Sequence, residues 1–414
     1  MIASPSAKSA DWAFHADDEA VLEALVSGRH AQSLREYFGA PGYAQLSALA
    51  AAAGRRGKPR GPRVLILPGI MGSKLGAVRE VLWIDPLQIA AGRLTALRLP
   101  SGRALRAAGV LLFSYARLKL ELVIGGRDAR FHPYDWRLGI DELGAQLARR
   151  IVAEASPVIL VAHSMGGLVA RTAMRLLPRR WVRKLIMLGT PNEGSFASVQ
   201  ALRGTYPFVR RLARLDHQHS ADYLAAKVFS TFPGLYHMLP SRRLTRMDLS
   251  DPRAWPGGGP ELDQRLLKEA AAARAGLAPA DSRMVQIVGV DQETVVGLRR
   301  SAAGFEYALS RNGDGTVPLS GAMLPGIKSY FVEDLHGNLA NNPRVIQAIV
   351  DLLRRGHTRR LARRWRPKRG PLRRIDDSQL RLEGGGKIDW GSLTSAQREA
   401  ALGELDSTRL VIRE

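Results

Sequence analysis

The chain has 414 residues, 45% of them apolar and 24% charged, and no cysteine. This is an ordinary balance for a globular protein with a sizeable core, and it excludes disulfides, a thiolate nucleophile and a Cys-ligated metal. The formal net charge is +23, and residues 354–374 alone hold eleven Arg and Lys with no acidic side chain.

The first residues show no basic stretch followed by an apolar one, so no secretory leader is expected. No apolar run approaches the roughly 18 residues that cross a bilayer. A cytoplasmic protein is the expectation, with peripheral membrane contact through residues 354–374. Residues 17–55 are rich in Ala and Leu and read as helical. A Gly/Pro/Arg linker follows at 54–63, so residues 1–61 are taken as a helical extension with its linker. Val64-Leu-Ile-Leu-Pro-Gly69 is a short continuous apolar run closed by Pro-Gly, the pattern of a buried parallel strand. The apolar stretch 109–126 is interrupted by Arg117, Lys119 and Glu121. Four more strand runs follow at 157–164, 182–191, 284–290 and 327–334. Residues 167–177, between the second and third strands, have helical spacing.

Strands alternating with helices predict an α/β fold with a mostly parallel central sheet flanked by helices, spanning 62–355. Residues 192–281 carry no strong strand signal. They are rich in Arg, Leu and Pro, and are read as an inserted helical cap. Residues 294–311 read as a hairpin. Residues 356–414 form a basic segment and a polar tail that ends in a helix, with Thr394 and Gln397 at capping-box spacing.

The chemistry centres on Ala162-His163-Ser164-Met165-Gly166-Gly167. A strand that turns sharply into a helix lifts a serine above the sheet edge, and small residues beside it, here Ala162 and Gly166, relieve the turn. The helix start at Met165 aims N–H groups and a positive dipole end at the same spot, where an oxyanion forms when Ser164 attacks an ester. The serine needs a base oriented by an acid, and on such a sheet the acid and then the histidine follow the nucleophile in the chain. Asp314, in Asn-Gly-Asp-Gly-Thr-Val-Pro, and His336, on the loop after the fifth strand, occur in that order. Asp291 and Glu293 are the fallback acids. His132, His217 and His219 break the order. Strand alternation is expected to send the His163 side chain to the face opposite Ser164. The loop after the first strand, Pro68-Gly-Ile-Met-Gly-Ser73, should supply the second oxyanion donor, assigned to Ile70 beside Met165.

At these residues the sequence resembles the lecithin:cholesterol acyltransferase family. The likeness rests on residues 64–75, Tyr134-Asp-Trp-Arg137, the serine turn, Gly313-Asp-Gly-Thr-Val-Pro318 and the His336 loop, with weaker support from 81–86 and 287–294. It implies an α/β-hydrolase fold over about 62–355, with Ser164, Asp314 and His336 as triad and acyl-ester, mainly lipid, substrates. The lack of cysteines means that the disulfide-clamped lid of the animal members cannot be copied here. Asp135 and Arg137 are expected to pair and shape the pocket floor, with Trp136 packed beneath.

The expected function is a serine lipid esterase or phospholipase with neither cofactor nor metal. The alternatives are an O-acyltransferase and a silent hydrolase-fold module docking to anionic membrane or nucleic acid, nucleic acid being the least favoured partner. The basic segment, with Leu361, Trp365 and Leu372 interleaved, is read as an anionic-lipid contact with Trp365 at the head-group level. Its removal after residue 353 is expected to spare hydrolysis of a soluble ester.

Overall fold

The computed structural model describes residues 12–59, 61–77, 80–102, 104–367, 370, 372–382, 386–389, 392, 393 and 397. Thr394, and with it the start of the expected C-terminal helix, lies outside these residues.

Twelve strands are present among the described residues: β1 (Val64–Leu67), β2 (Ser73–Ala77), β3 (Glu80–Trp83), β4 (Arg106–Val110), β5 (Ala129–Phe131), β6 (Val158–His163), β7 (Val182–Leu188), β8 (Met284–Val290), β9 (Thr294–Ser301), β10 (Gly304–Ser310), β11 (Lys328–Glu333) and β12 (Arg373–Asp376). Six of them form one parallel sheet in the order β11-β8-β7-β6-β1-β5. Its inner strands β1, β6 and β8 are buried at every position, which explains why they read as unbroken apolar runs. The five runs anticipated from the sequence are the strands β1, β6, β7, β8 and β11. The three-residue edge strand β5 is too short to leave a signal.

Helices cover the sheet. The helix Ile140–Ala153 packs on Met165–Leu176. A Cβ on Gly144 would come within 2.4 Å of Thr172, so glycine permits this close approach. Residues 192–281 contain no strand and five α-helices, among them Phe196–Leu202, Pro207–Leu215 and Gln264–Ala275. Arg171 fastens this cap to the helix Met165–Leu176: its guanidinium donates to Asn192 Oδ1 at 2.9 Å and to the Ala278 carbonyl at 2.7 Å. Among the described residues no helix is long and apolar enough to cross a membrane.

The segments outside the expected main domain are tied into it. Val21, Leu25, Leu34, Tyr37 and Leu46 belong to the same apolar core as the central sheet. Buried Lys74 on β2 pairs with Asp18 at 3.0 Å, and Asp18 also accepts from Val110 N–H at 2.8 Å. Burial raises the Asp18 pKa above its usual value, against the lowering pull of Lys74. At the other end, β12 adds to the β9–β10 hairpin as a third strand. Residues 386–388 then strap the cap. Lys387 Nζ donates to the carbonyls of Ala213 at 2.9 Å and His219 at 2.8 Å, and Ile388 N–H donates to Arg214 O at 2.7 Å.

Part of the basic segment is engaged by the fold. Arg360 pairs with Asp351, Arg373 with Glu293 and Arg374 with Glu306, and Arg363 lies over the Tyr330 ring. Leu361 is buried and Trp365 packs half-buried against the Phe331 cluster. Arg354, Arg355, Arg359, Arg364 and Arg366 stay exposed, while Lys368 and Arg369 lie outside the described residues.

Cutting the chain after residue 353 would also remove Asp377, which is fully buried and pairs with buried Arg203 at 2.8 Å. Asp377 accepts from Tyr307 Oη at 2.8 Å and Phe305 N–H at 3.1 Å as well. Removing one partner of a buried pair strands the other charge. Asp377→Ala should thus cost about 3–5 kcal/mol. Urea unfolding checks this, and a loss below about 1 kcal/mol would show that the pair does not hold the tail to the cap.

Candidate active site

Ser164 lies between β6 and the helix Met165–Leu176 with φ 52° and ψ −125°. A non-glycine residue in this region is strained and persists only where its surroundings enforce it. Ser164 N–H donates to Leu188 O at 2.8 Å, which pins the turn to the end of β7. A Cβ on Gly166 would stand 2.5 Å from Pro68 O, and one on Gly167 would stand 1.9 Å from Thr190 Oγ1. Both glycines are therefore sterically required, whereas the sequence reading singled out Gly166 and Ala162.

His336 follows β11 and directs Nε2 to Ser164 Oγ at 2.8 Å and Nδ1 to Asp314 Oδ2 at 2.8 Å. A carboxylate can only accept, so Nδ1 carries the proton and Nε2 offers its lone pair to the serine hydroxyl. Asp314 is fully buried. Its Oδ1 accepts from the backbone N–H groups of Thr316 at 3.0 Å and Val317 at 2.7 Å, and its carbonyl accepts from His336 N–H at 2.8 Å. Three residues far apart in the chain thus form one hydrogen-bonded line.

The fallback acids are occupied elsewhere. Asp291 binds Arg311 at 2.8 Å and Glu293 binds Arg373 at 2.8 Å. Of the other histidines, His219 contacts Asp216 at 3.0 Å and His217 the Ile388 carbonyl at 2.9 Å.

The loop after β1 closes over the serine. A Cβ on Gly69 would lie 3.0 Å from Ser164 Cβ. Gly69 N–H donates to Tyr115 Oη at 3.0 Å, Tyr134 Oη donates to Pro68 O at 2.6 Å, and Trp83 Nε1 donates to Met71 O at 2.8 Å. Among the described residues, Ile70 N–H, in the turn, and Met165 N–H, at the helix start, donate to no backbone acceptor in another part of the fold. Above lies a cleft enclosing about 1150 Å³ of unfilled space, part of it open to solvent. Trp83, Phe113, Phe208, Val209, Leu235 and Met238 give it apolar walls, the last four from the cap.

The model of the lecithin:cholesterol acyltransferase family matches residues 123–349, more than half of the chain. The chain belongs to that family. It is similar to the lysosomal phospholipase A and acyltransferase of Canis lupus familiaris, 34% identical over 113 residues that make up 24% of this chain and 28% of the relative. The Homo sapiens protein of the same name is 28% identical over 173 residues, 34% of this chain and 42% of the relative. The chain thus spans less than half the length of these relatives. Among solved structures, the Tle4-Tli4 complex superposes with a TM-score of 0.50 at 14% identity, covering 70% of this chain and 97% of that one, which is a likeness of fold alone. The α/β-hydrolase fold expected from the sequence is the fold of this chain.

The Tyr134–Arg137 segment of this family member does not line the cleft. Arg137 and Asp135 do pair, at 2.6 Å, but Trp136 Nε1 donates to Ser73 O at 3.0 Å and its ring packs on Trp83 and Phe232. The segment braces the far side of the loop over Ser164, which corrects the expected pocket floor.

His163 is the second correction. It does not face away. Its Nδ1 meets Tyr115 Oη at 2.9 Å, its Nε2 meets the His336 carbonyl at 2.9 Å, and its ring lies 4.9 Å from that of His336. The strained turn begins one residue later and ends the strand alternation on which the expectation rested.

Two glycines were also missed. A Cβ on Gly189 would come 3.0 Å from His336 Nδ1, and one on Gly289 would come 2.6 Å from Asp314 Cβ. A lone glycine inside or just after a buried strand is the signal that marks such approaches.

Burial, and secondarily the adjacent His336, push the His163 pKa down to about 3. An unfolded imidazole takes up its proton near pH 6.5. The folded pKa is the lower one, so the unfolded chain binds the extra proton, and stability is lost as pH falls from about 6.5 toward 3. His163→Phe should therefore lower the slope of unfolding free energy against pH by up to about 1.4 kcal/mol per unit between pH 6 and 4. Urea unfolding at several pH values measures the slope, and an equal slope in both proteins would refute the assignment.

Proposed function

We propose that this protein is a serine hydrolase of lipid acyl esters that works through a covalent acyl-Ser164 intermediate. The observation that carries the reading is the line Asp314–His336–Ser164, each link 2.8 Å, opening into an apolar cleft. In this scheme His336 Nε2 takes the Ser164 proton as Oγ attacks the ester carbon. The carbonyl oxygen becomes an oxyanion held by the N–H groups of Ile70 and Met165, which among the described residues meet no backbone acceptor from another part of the fold. Asp314 holds the tautomer and stabilises the imidazolium. His336 then protonates the departing alcohol, and a water activated by His336 releases the fatty acid. The apolar walls hold the acyl chain while the reacting carbonyl sits at the base.

Ser164→Ala should reduce turnover of a short-chain nitrophenyl ester by about 10³-fold or more. Asp314→Asn should lower kcat by about 10²- to 10⁴-fold while the protein stays folded. Stopped-assay kinetics with circular dichroism check both. Full activity of Ser164→Ala would overturn the reading, and a harmless Asp314→Asn beside a crippling Asp291→Asn would move the acid to Asp291.

Acyl transfer shares the acyl-enzyme and differs only in the second nucleophile. The curated relatives bear both activities in their name. Incubation with phospholipid and a long-chain alcohol, followed by assay of free acid against new ester, separates the two. We further propose that the exposed Arg354, Arg355, Arg359, Arg364 and Arg366 hold the enzyme on anionic lipid. Replacing all five by Gln should reduce attack on phosphatidylglycerol vesicles at low salt far more than attack on the soluble ester. Equal effects on both substrates would remove this contact from the scheme.

A further inference from the structure

The backbone of His336 is held at its N–H by the Asp314 carbonyl at 2.8 Å, and its own carbonyl accepts from Leu339 N–H at 3.3 Å. His163 adds a side-chain donor to that carbonyl from the active-site side. Its Nε2 lies 2.9 Å from the His336 carbonyl, which can only accept, so Nε2 carries the ring proton. The neutral ring then presents a lone pair at Nδ1, and Tyr115 Oη, 2.9 Å away, donates to it. Tyr115 Oη in turn accepts from Gly69 N–H at 3.0 Å. The three bonds run in one direction, from Gly69 N–H through Tyr115 and His163 to the His336 carbonyl. Tyr115 is 3% exposed, and His163 and His336 are each 7% exposed, so water competes weakly for any link.

We infer that His163 and Tyr115 are positioning residues which, through this relay, hold the loop carrying Ile70 and the backbone of His336 in fixed relation. The inference rests on the acyl-serine reading above and adds to it how the two halves of the site keep register. Attack requires Ile70 N–H to face the developing oxyanion at the same moment as His336 Nε2 faces Ser164 Oγ. Ile70 adjoins Gly69, one end of the relay, and the His336 carbonyl is the other end. Each link is short and buried, so a displacement at one end is felt at the other. A displacement of about 1 Å in such a site costs about 10²-fold in rate.

Glutamine and phenylalanine at position 163 separate positioning from packing. A glutamine amide reaches about as far as imidazole Nε2 and can still donate to the His336 carbonyl. Phenylalanine keeps the ring volume and donates nothing. With a soluble nitrophenyl ester, His163→Phe should lower kcat by about 10²-fold with KM little changed, while His163→Gln should recover most of that loss. Tyr115→Phe removes one hydroxyl and should lower kcat by about 10-fold, and adding it to His163→Phe should cause little further loss, because the relay is already broken.

If phenylalanine matches or exceeds glutamine, or if the double variant multiplies the two single losses, His163 is a packing residue and the inference fails. Should His163→Phe not fold by circular dichroism, Tyr115→Phe decides, and a wild-type kcat there overturns the relay. Ser164→Ala and His336→Ala run alongside. If both are inactive while the relay variants work normally, only this inference falls. If they retain activity, the acyl-serine reading falls instead.

Discussion

The site depends on the backbone of one residue. Ser164 is held at φ 52°, where an L-residue is strained, and the chain passes there from the end of β6 into a helix without a connecting loop. A relaxed turn would lengthen the connection and carry the serine off the sheet edge. The fold enforces the strained one from three sides: the hydrogen bond to Leu188 O, the Pro68 carbonyl against Gly166, and Thr190 against Gly167. Each of these comes from the C-terminal end of a neighbouring strand. The parallel sheet therefore both presents the serine and maintains its geometry.

The same sheet edge gathers the other parts. Asp314 and His336 descend from the loops after the hairpin and β11, and the Gly69–Gly72 loop descends from β1. The molecule surrounds the Gly69–Gly72 loop with donors. Tyr134 binds Pro68 O, Trp83 binds Met71 O, and Trp136 binds Ser73 O. The aromatic residues of the Tyr-Asp-Trp-Arg segment are thus anchors for the carbonyl groups at the two ends of this loop.

Much of this was legible in the sequence, and the boundary has physical causes. Strands buried on both faces read as apolar runs, so the sheet was visible. Ser164, Asp314 and His336 were visible because they follow strand patterns in the chain order that this fold class uses. His163 was misplaced because strand periodicity was carried one residue too far, up to a turn that abolishes it. Tyr115 gave no sign, since an aromatic in an apolar helix is indistinguishable by pattern from core. Lys74 and Asp18 are 56 positions apart in the chain. No local signal ties a helix before the linker to a strand after it, so the N-terminal segment looked detached. β12 was hidden by its charges, because Arg373 and Arg374 read as solvated until Glu293 and Glu306 are seen beside them.

The strap over the cap has a consequence for how the molecule comes into being. Arg203 and Asp377 are separated by 174 positions, and Lys387 reaches back across a similar span to Ala213. Contacts between such distant parts close large loops and form late. During synthesis the cap leaves the ribosome long before the residues that fasten it. In that interval the cap that carries Phe208 and Val209 is held by the Arg171 contacts but not yet by the strap. The cap side of the cleft is thus fastened last, by residues that do not line it.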